Sequence, residues 1–221
     1  MTKLRPFIYA PPTKPIEILH QDSDLLIVNK PAGLLSVPGK DDDKKDCLLT
    51  RLERLYEGVL LVHRLDVATS GVMVFAMNKD AQRHLGLQFE KRYIKKKYVA
   101  DIVGPVKGDS GFINLPMRCD WPNRPRQMVC FEQGKNALTH WIKDFESKSF
   151  TRLSLFPTTG RSHQLRVHML YGLGHAIIGD KIYADDAVYN LSDRLHLHAH
   201  KLSLRHPNGG EELEFSVPPP F

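Results

Sequence analysis

Residues 72–77, Val-Met-Val-Phe-Ala-Met, form an unbroken apolar run of strand length. Such a run reads as a buried β-strand, so the fold must contain a sheet. Similar segments lie on either side. Residues 16–29 read as two short strands around a polar turn. Lys30-Pro31-Ala32-Gly33 then turns the chain, since proline fixes φ and glycine tolerates positive φ. Further strands are expected at 97–103, 111–115, 126–131, 136–145, 151–156, 195–204 and 212–217. Helices are expected at 47–56, from an Asp80 cap to about Arg92, and from Arg161 to Tyr171 after the turn Thr158-Thr159-Gly160. The second helix would turn Ala81, Leu85 and Phe89 inward. Many short strands with few helices predict an α+β fold with a largely antiparallel sheet. Residues 40–46 read as a solvated loop. No glycine-rich dinucleotide fingerprint and no phosphate loop is present.

A chain of 221 residues suits one large domain or two small lobes sharing a core. The formal net charge of +6 favours an acidic partner, nucleic acid being the commonest, although a small acidic substrate would also fit. Cys47, Cys119 and Cys130 are odd in number and lack metal-ligand spacing, which argues against a disulfide framework or a structural zinc site. Reduced thiols in the cytoplasm are the simpler expectation. Met1 to Pro12 is broken by prolines and reads as neither a signal peptide nor a membrane span. No segment reaches the roughly 18 apolar residues of a spanning helix.

Four clusters can carry chemistry. The run His63-Arg64-Leu65-Asp66-Val67-Ala68-Thr69-Ser70-Gly71 sets one carboxylate among a histidine, an arginine and two hydroxyls. Asp66 can act as nucleophile, general base or electrostatic stabiliser, or can merely cap a helix or pair with Arg64. In Thr159 to His168, a helix would place Ser162 with Arg166 and Gln164 with His168 at i, i+4. Arg166 would then offer a fork for a carboxylate or a phosphate, unless the helix is only a solvated basic face. Lys91 to Tyr98 holds five basic residues and two tyrosines, which suits either nucleic acid or solvent. In a strand, Lys96, Tyr98 and Ala100 share one face. His196, His198 and His200 would also share a strand face, a spacing that can bind a metal and the best hook for a metal-dependent hydrolase. No carboxylate-rich motif completes such a site, and polar alternation on an exposed strand is the simpler reading.

In order along the chain, five stretches resemble the RluA-type pseudouridine synthases. They are Asp24 to Leu34; His63-Arg64-Leu65-Asp66 with Thr69-Ser70-Gly71; Lys96 to Ala100; Gly160 to His168; and Gly174-His175 through Ile178-Gly179-Asp180 to Leu197-His198-Ala199. The resemblance is greatest to the short, dual-specificity members, through Cys119 to Gln127 and through the lack of room before residue 16 for a separate S4-type RNA-binding domain. Ala176 departs from the proline usual after Gly-His.

The resemblance implies the family's fold, a mixed, mostly antiparallel sheet with a central cleft flanked by short helices, and one catalytic domain over residues 1–221. It implies isomerisation of uridine in a large-subunit rRNA stem-loop and a tRNA anticodon stem-loop, with RNA as partner and no cofactor, metal or membrane. A cytoplasmic monomer is expected. Residue by residue, Asp66 matches the catalytic aspartate and Arg64 the arginine that enters the RNA stack. Tyr98 matches the tyrosine beside the base, and Arg166 the arginine paired with the catalytic carboxylate.

Overall fold

A computed structural model describes residues 5–221. The first four residues of the proline-broken N-terminal stretch lie outside them. In chain order the strands are β1 (Glu17–Gln21), β2 (Leu25–Lys30), β3 (Leu60–Leu61), β4 (Ser70–Ala76), β5 (Lys95–Val103) and β6 (Ser110–Asn114). They continue as β7 (Met117–Cys119), β8 (Gln127–Val129), β9 (Leu138–Glu146), β10 (Phe150–Pro157), β11 (Leu197–Arg205) and β12 (Glu212–Ser216). The helices are α1 (Leu48–Glu53), α2 (Lys79–Glu90), α3 (Gln164–Leu173) and α4 (Asp186–Tyr189). The α+β class and the mostly antiparallel pairing agree with the sequence expectation. None of the helices is long and apolar enough to cross a membrane among the described residues.

The chain forms two compact units. One comprises residues 8–96 and 198–220, the other residues 97–197 with the described N-terminal residues up to Phe7 and with Phe221. In the first unit, β2 lies antiparallel between β1 and β4. The β4 strand also runs parallel to β11, with Ser70 opposite His198 and Gly71 opposite Ala199. Alternation along β2 and β4 sends Leu25, Ile27, Val72 and Val74 into one apolar cluster with Ala81 and Leu85 of α2 and Leu202 and Leu204 of β11. The intervening Leu26, Val28, Met73 and Phe75 are fully buried too, which is why both strands read as continuous apolar runs. Phe89 packs on the margin of the same cluster.

The cap of α2 is Asn78 rather than Asp80: its side chain accepts from the Ala81 amide at 2.8 Å, whereas Asp80 pairs with Arg83 at the surface. Residues 40–46 contain a single 3-10 turn at Asp42–Lys44, braced by a Lys44–Asp41 ion pair of 2.6 Å.

Thr69-Ser70-Gly71, which the sequence offers as the turn presenting Asp66 and Arg64, does not form it. The turn is Asp66 to Thr69, closed by the Thr69 amide on the Asp66 carbonyl at 3.1 Å, and Ser70 and Gly71 already belong to β4. Gly71 is needed for a different reason. Its φ is +118°, and a Cβ there would lie 2.2 Å from the Ala199 carbonyl oxygen. Gly71→Ala is therefore expected to cost about 3 kcal/mol or more, read as a lowered urea midpoint, because backbone on both sides must move.

In the second unit, β5, β10, β9 and β6 pair antiparallel in that order, and β7 with β8 makes a separate hairpin. A small cluster of Met117, Ala137, Val167 and Tyr183 ties this hairpin to α3.

Candidate active site

Asp66 sits in the loop between β3 and β4, half-buried, between exposed Arg64 and buried Leu65 on one side and half-buried Val67 on the other. The loop is pinned through its main chain. Ser36 Oγ donates to the Leu65 carbonyl at 2.7 Å and accepts from the Leu65 amide at 3.1 Å. The Val67 carbonyl accepts from the Gly33 amide at 2.8 Å and from Lys30 Nζ at 3.2 Å. Lys30 is fully buried, and its ammonium also donates to the carbonyls of Pro31 and Leu34. A charge so enclosed persists only when its donors are met. The lysine read from sequence as part of a turn is thus a strut beneath the Asp66 loop.

Two histidines brace the same segment. The His63 ring accepts from the Val74 amide at 3.2 Å and lies against Phe89. Burial, and secondarily the Lys96 charge, push its pKa down to about 3, so it is neutral and suited to accepting that bond. His198, 1% exposed, meets Ser70 Oγ at 2.8 Å through Nδ1 and the Val217 carbonyl at 3.1 Å through Nε2. It does not stand on an exposed face. His196 lies just before β11 and engages Asp101 and Ser192 with its two nitrogens, while His200 Nδ1 meets Val217. Each of these three histidines is thus engaged by protein groups of its own unit. Lys96 has its pKa lowered, mainly by burial and then by Arg92.

In the second unit, Tyr98 stands half-buried on β5 opposite Leu155 of β10. Asp101, on the other face, forms a two-pronged pair with Arg152. Arg166 lies in the first turns of α3, 3% exposed. Its Nε and Nη2 donate to the two Asp180 oxygens at 2.7 and 2.6 Å. Asp180 also accepts the Ile182 and Tyr183 amides. Burial alone would raise its pKa; the Arg166 charge and these donors outweigh that and hold the carboxyl below its ordinary range. Tyr183 lies 5.1 Å from the Arg166 guanidinium.

Asp180 carries no local sequence signal of its role, although it lies within a stretch that resembles the RluA-type synthases. The neighbouring Gly179 marked the spot: its φ is +71°, and a Cβ there would meet the Arg194 carbonyl at 1.9 Å. Asp180→Ala should cost about 3–5 kcal/mol, the usual penalty for orphaning a buried partner. Urea unfolding checks this.

The helix α3 begins at Gln164, not Arg161. His163 precedes it with a left-handed φ of 55°, so Ser162 shares no helix face with Arg166. The other expected pair holds: Gln164 and His168 both reach Thr139 Oγ1, at 3.0 and 2.9 Å.

Residues 24–171 match the family model described as RNA pseudouridylate synthase. The proteins named Dual-specificity RNA pseudouridine synthase RluA from Salmonella typhimurium, Escherichia coli K12 and Pasteurella multocida are 49%, 48% and 49% identical over 215 residues. In each case the match covers 96% of this chain and 98% of the relative. The solved structure titled Human RNA Pseudouridylate Synthase Domain Containing 1 aligns with a TM-score of 0.78 at 28% identity, over 97% of this chain and 87% of its own. That of Domain Containing 4 aligns at 0.73 and 28%, over 92% and 88%.

Proposed function

This chain belongs to the RNA pseudouridylate synthase family, an isomerase of uridine in RNA, and from that premise we propose that Asp66 carries out the rearrangement on stem-loops of both large-subunit rRNA and tRNA. The observation that carries this reading is the Asp66 loop itself. A carboxylate is presented half-buried, beside an exposed arginine, on a main chain pinned by Lys30, Gly33 and Ser36. Such pinning is what a reacting group needs and a solvated aspartate does not.

The chemistry breaks N1–C1′, turns the uracil and joins C5 to C1′; C5 loses a proton and N1 gains one. Electrons balance without an oxidant or a group donor. The base must first leave its stack, at a cost of a few kcal/mol. Arg64 is assigned to entering the space it vacates, which its exposure supports. Asp66 attacks C1′ or C6, or takes a sugar proton to give a glycal. Tyr98 lies against the base as a stacking surface or accepts the C5 proton. Arg166, set by Asp180, is assigned to the anion of Asp66. Residues 1–221 are read as one cytoplasmic catalytic domain, acting as a monomer without metal.

A purified-protein assay of tritium release from uridine-labelled tRNA and rRNA stem-loops tests the reading. Release accompanied by pseudouridine in both RNAs is expected. RNA binding without release would leave only a non-catalytic RNA-binding module.

A further inference from the structure

Between β7 and β8 the chain projects a short tip, residues 120–126, whose turn is closed by main-chain bonds between Asp120 and Arg126 and between Asn123 and Asp120. Its base is firmly held. The Gln127 amide donates to the Tyr183 hydroxyl at 2.9 Å, buried Arg126 lies 5.4 Å from the same ring, and that hydroxyl meets His163 Nδ1 at 2.8 Å. Tyr183 is the ring beside Arg166, so the hairpin is fixed relative to that arginine.

The tip itself is open. Trp121, the most costly side chain to leave in water, is 66% exposed. The Arg124 guanidinium sits 4.5 Å from the centre of its ring. Exposed Arg118 stands on β7 of the same hairpin, exposed Lys135 pairs through its main chain with Met117 of that strand, and exposed Arg161 lies in the same unit, bonded to the Asn136 carbonyl. A broad π-surface backed by a cation, on a hairpin that carries further exposed cations at Arg118 and beside Met117 at Lys135, matches an unpaired nucleotide, whose base stacks while its phosphate is neutralised. A second copy of the chain is a poorer fit, since it would bring the same cations face to face.

We propose that the Met117–Val129 hairpin is a second RNA contact, in which Trp121, backed by Arg124, stacks on an unpaired base of the substrate loop. This rests on the reading of the chain as an RNA uridine isomerase. It makes Trp121 a determinant of substrate choice, favouring loops over duplexes.

The chain has two tryptophans, and Trp141 is only 5% exposed, so quenching by a stacked base reports chiefly on Trp121. Titration of the full chain with a transcribed tRNA anticodon stem-loop should quench it, and a blunt duplex of equal length should quench it far less. Trp121→Ala should abolish the quenching, weaken Kd roughly tenfold and raise KM similarly with kcat retained. Trp121→Phe should keep most of the affinity. Parent-like Kd and KM in Trp121→Ala, or equal quenching by duplex, would overturn the proposal. So would a Trp121→Ala protein of halved solution mass with unchanged Kd, which would make the tip a contact between copies. Quenching by the stem-loop with no uridine isomerised in it or in an rRNA stem-loop would uphold the contact and sink the catalytic reading.

Discussion

Asp66→Asn should fold, bind stem-loop RNA within about twofold of the parent, and lose at least about a thousandfold in pseudouridine formation. The substitution keeps size and shape while removing the charge and the nucleophilic oxygen. The loop should hold its place because its anchors at Leu65, Asp66 and Val67 run through main-chain atoms. Filter binding and single-turnover tritium release measure the two arms. A fall of less than about tenfold would remove Asp66 from the bond-breaking step.

Lys30→Met should lower both stability and turnover, and the two effects can be separated. Methionine fills most of the lysine's volume, so little cavity is left. The carbonyls of Pro31 and Leu34 lose their ammonium donor, whereas Val67 keeps the Gly33 amide. At about 1–3 kcal/mol for each buried acceptor left unmet, the cost is about 3 kcal/mol. That is a large share of a typical domain's stability. Because Lys30 holds the residue after Asp66, kcat per folded molecule should also fall. Leu48→Ala, at a fully buried position of α1, should cost a comparable 2–5 kcal/mol and leave kcat per folded molecule intact. Equal kcat in both variants would reduce Lys30 to a stability role.

The strands were legible where apolar runs end in turn residues, as at Leu25–Lys30 and Ser70–Ala76, because burial on both faces leaves a local signature. Local chemistry also foretold the α2 face of Ala81 and Leu85. It placed the cap two residues late, since Asn78 and Asp80 are both good caps and tertiary packing decides between them. The start of α3 was hidden because a histidine signals a left-handed φ only weakly. The site divides in the same way. Arg64, Asp66, Tyr98 and Arg166 stood out through residue type and resemblance. Their supports did not: Lys30 looked like a turn residue, His198 like one of an exposed triad, and Asp180 sits fourteen positions from Arg166. Each support is defined by a partner distant in sequence, which spacing alone does not reveal.

The most direct measurement maps pseudouridine in rRNA and tRNA from cells lacking this chain, complemented with the parent or with Asp66→Asn. The account predicts that one or more sites in each RNA class lose pseudouridine, return with the parent and stay unmodified with Asp66→Asn. Full restoration by Asp66→Asn would contradict it.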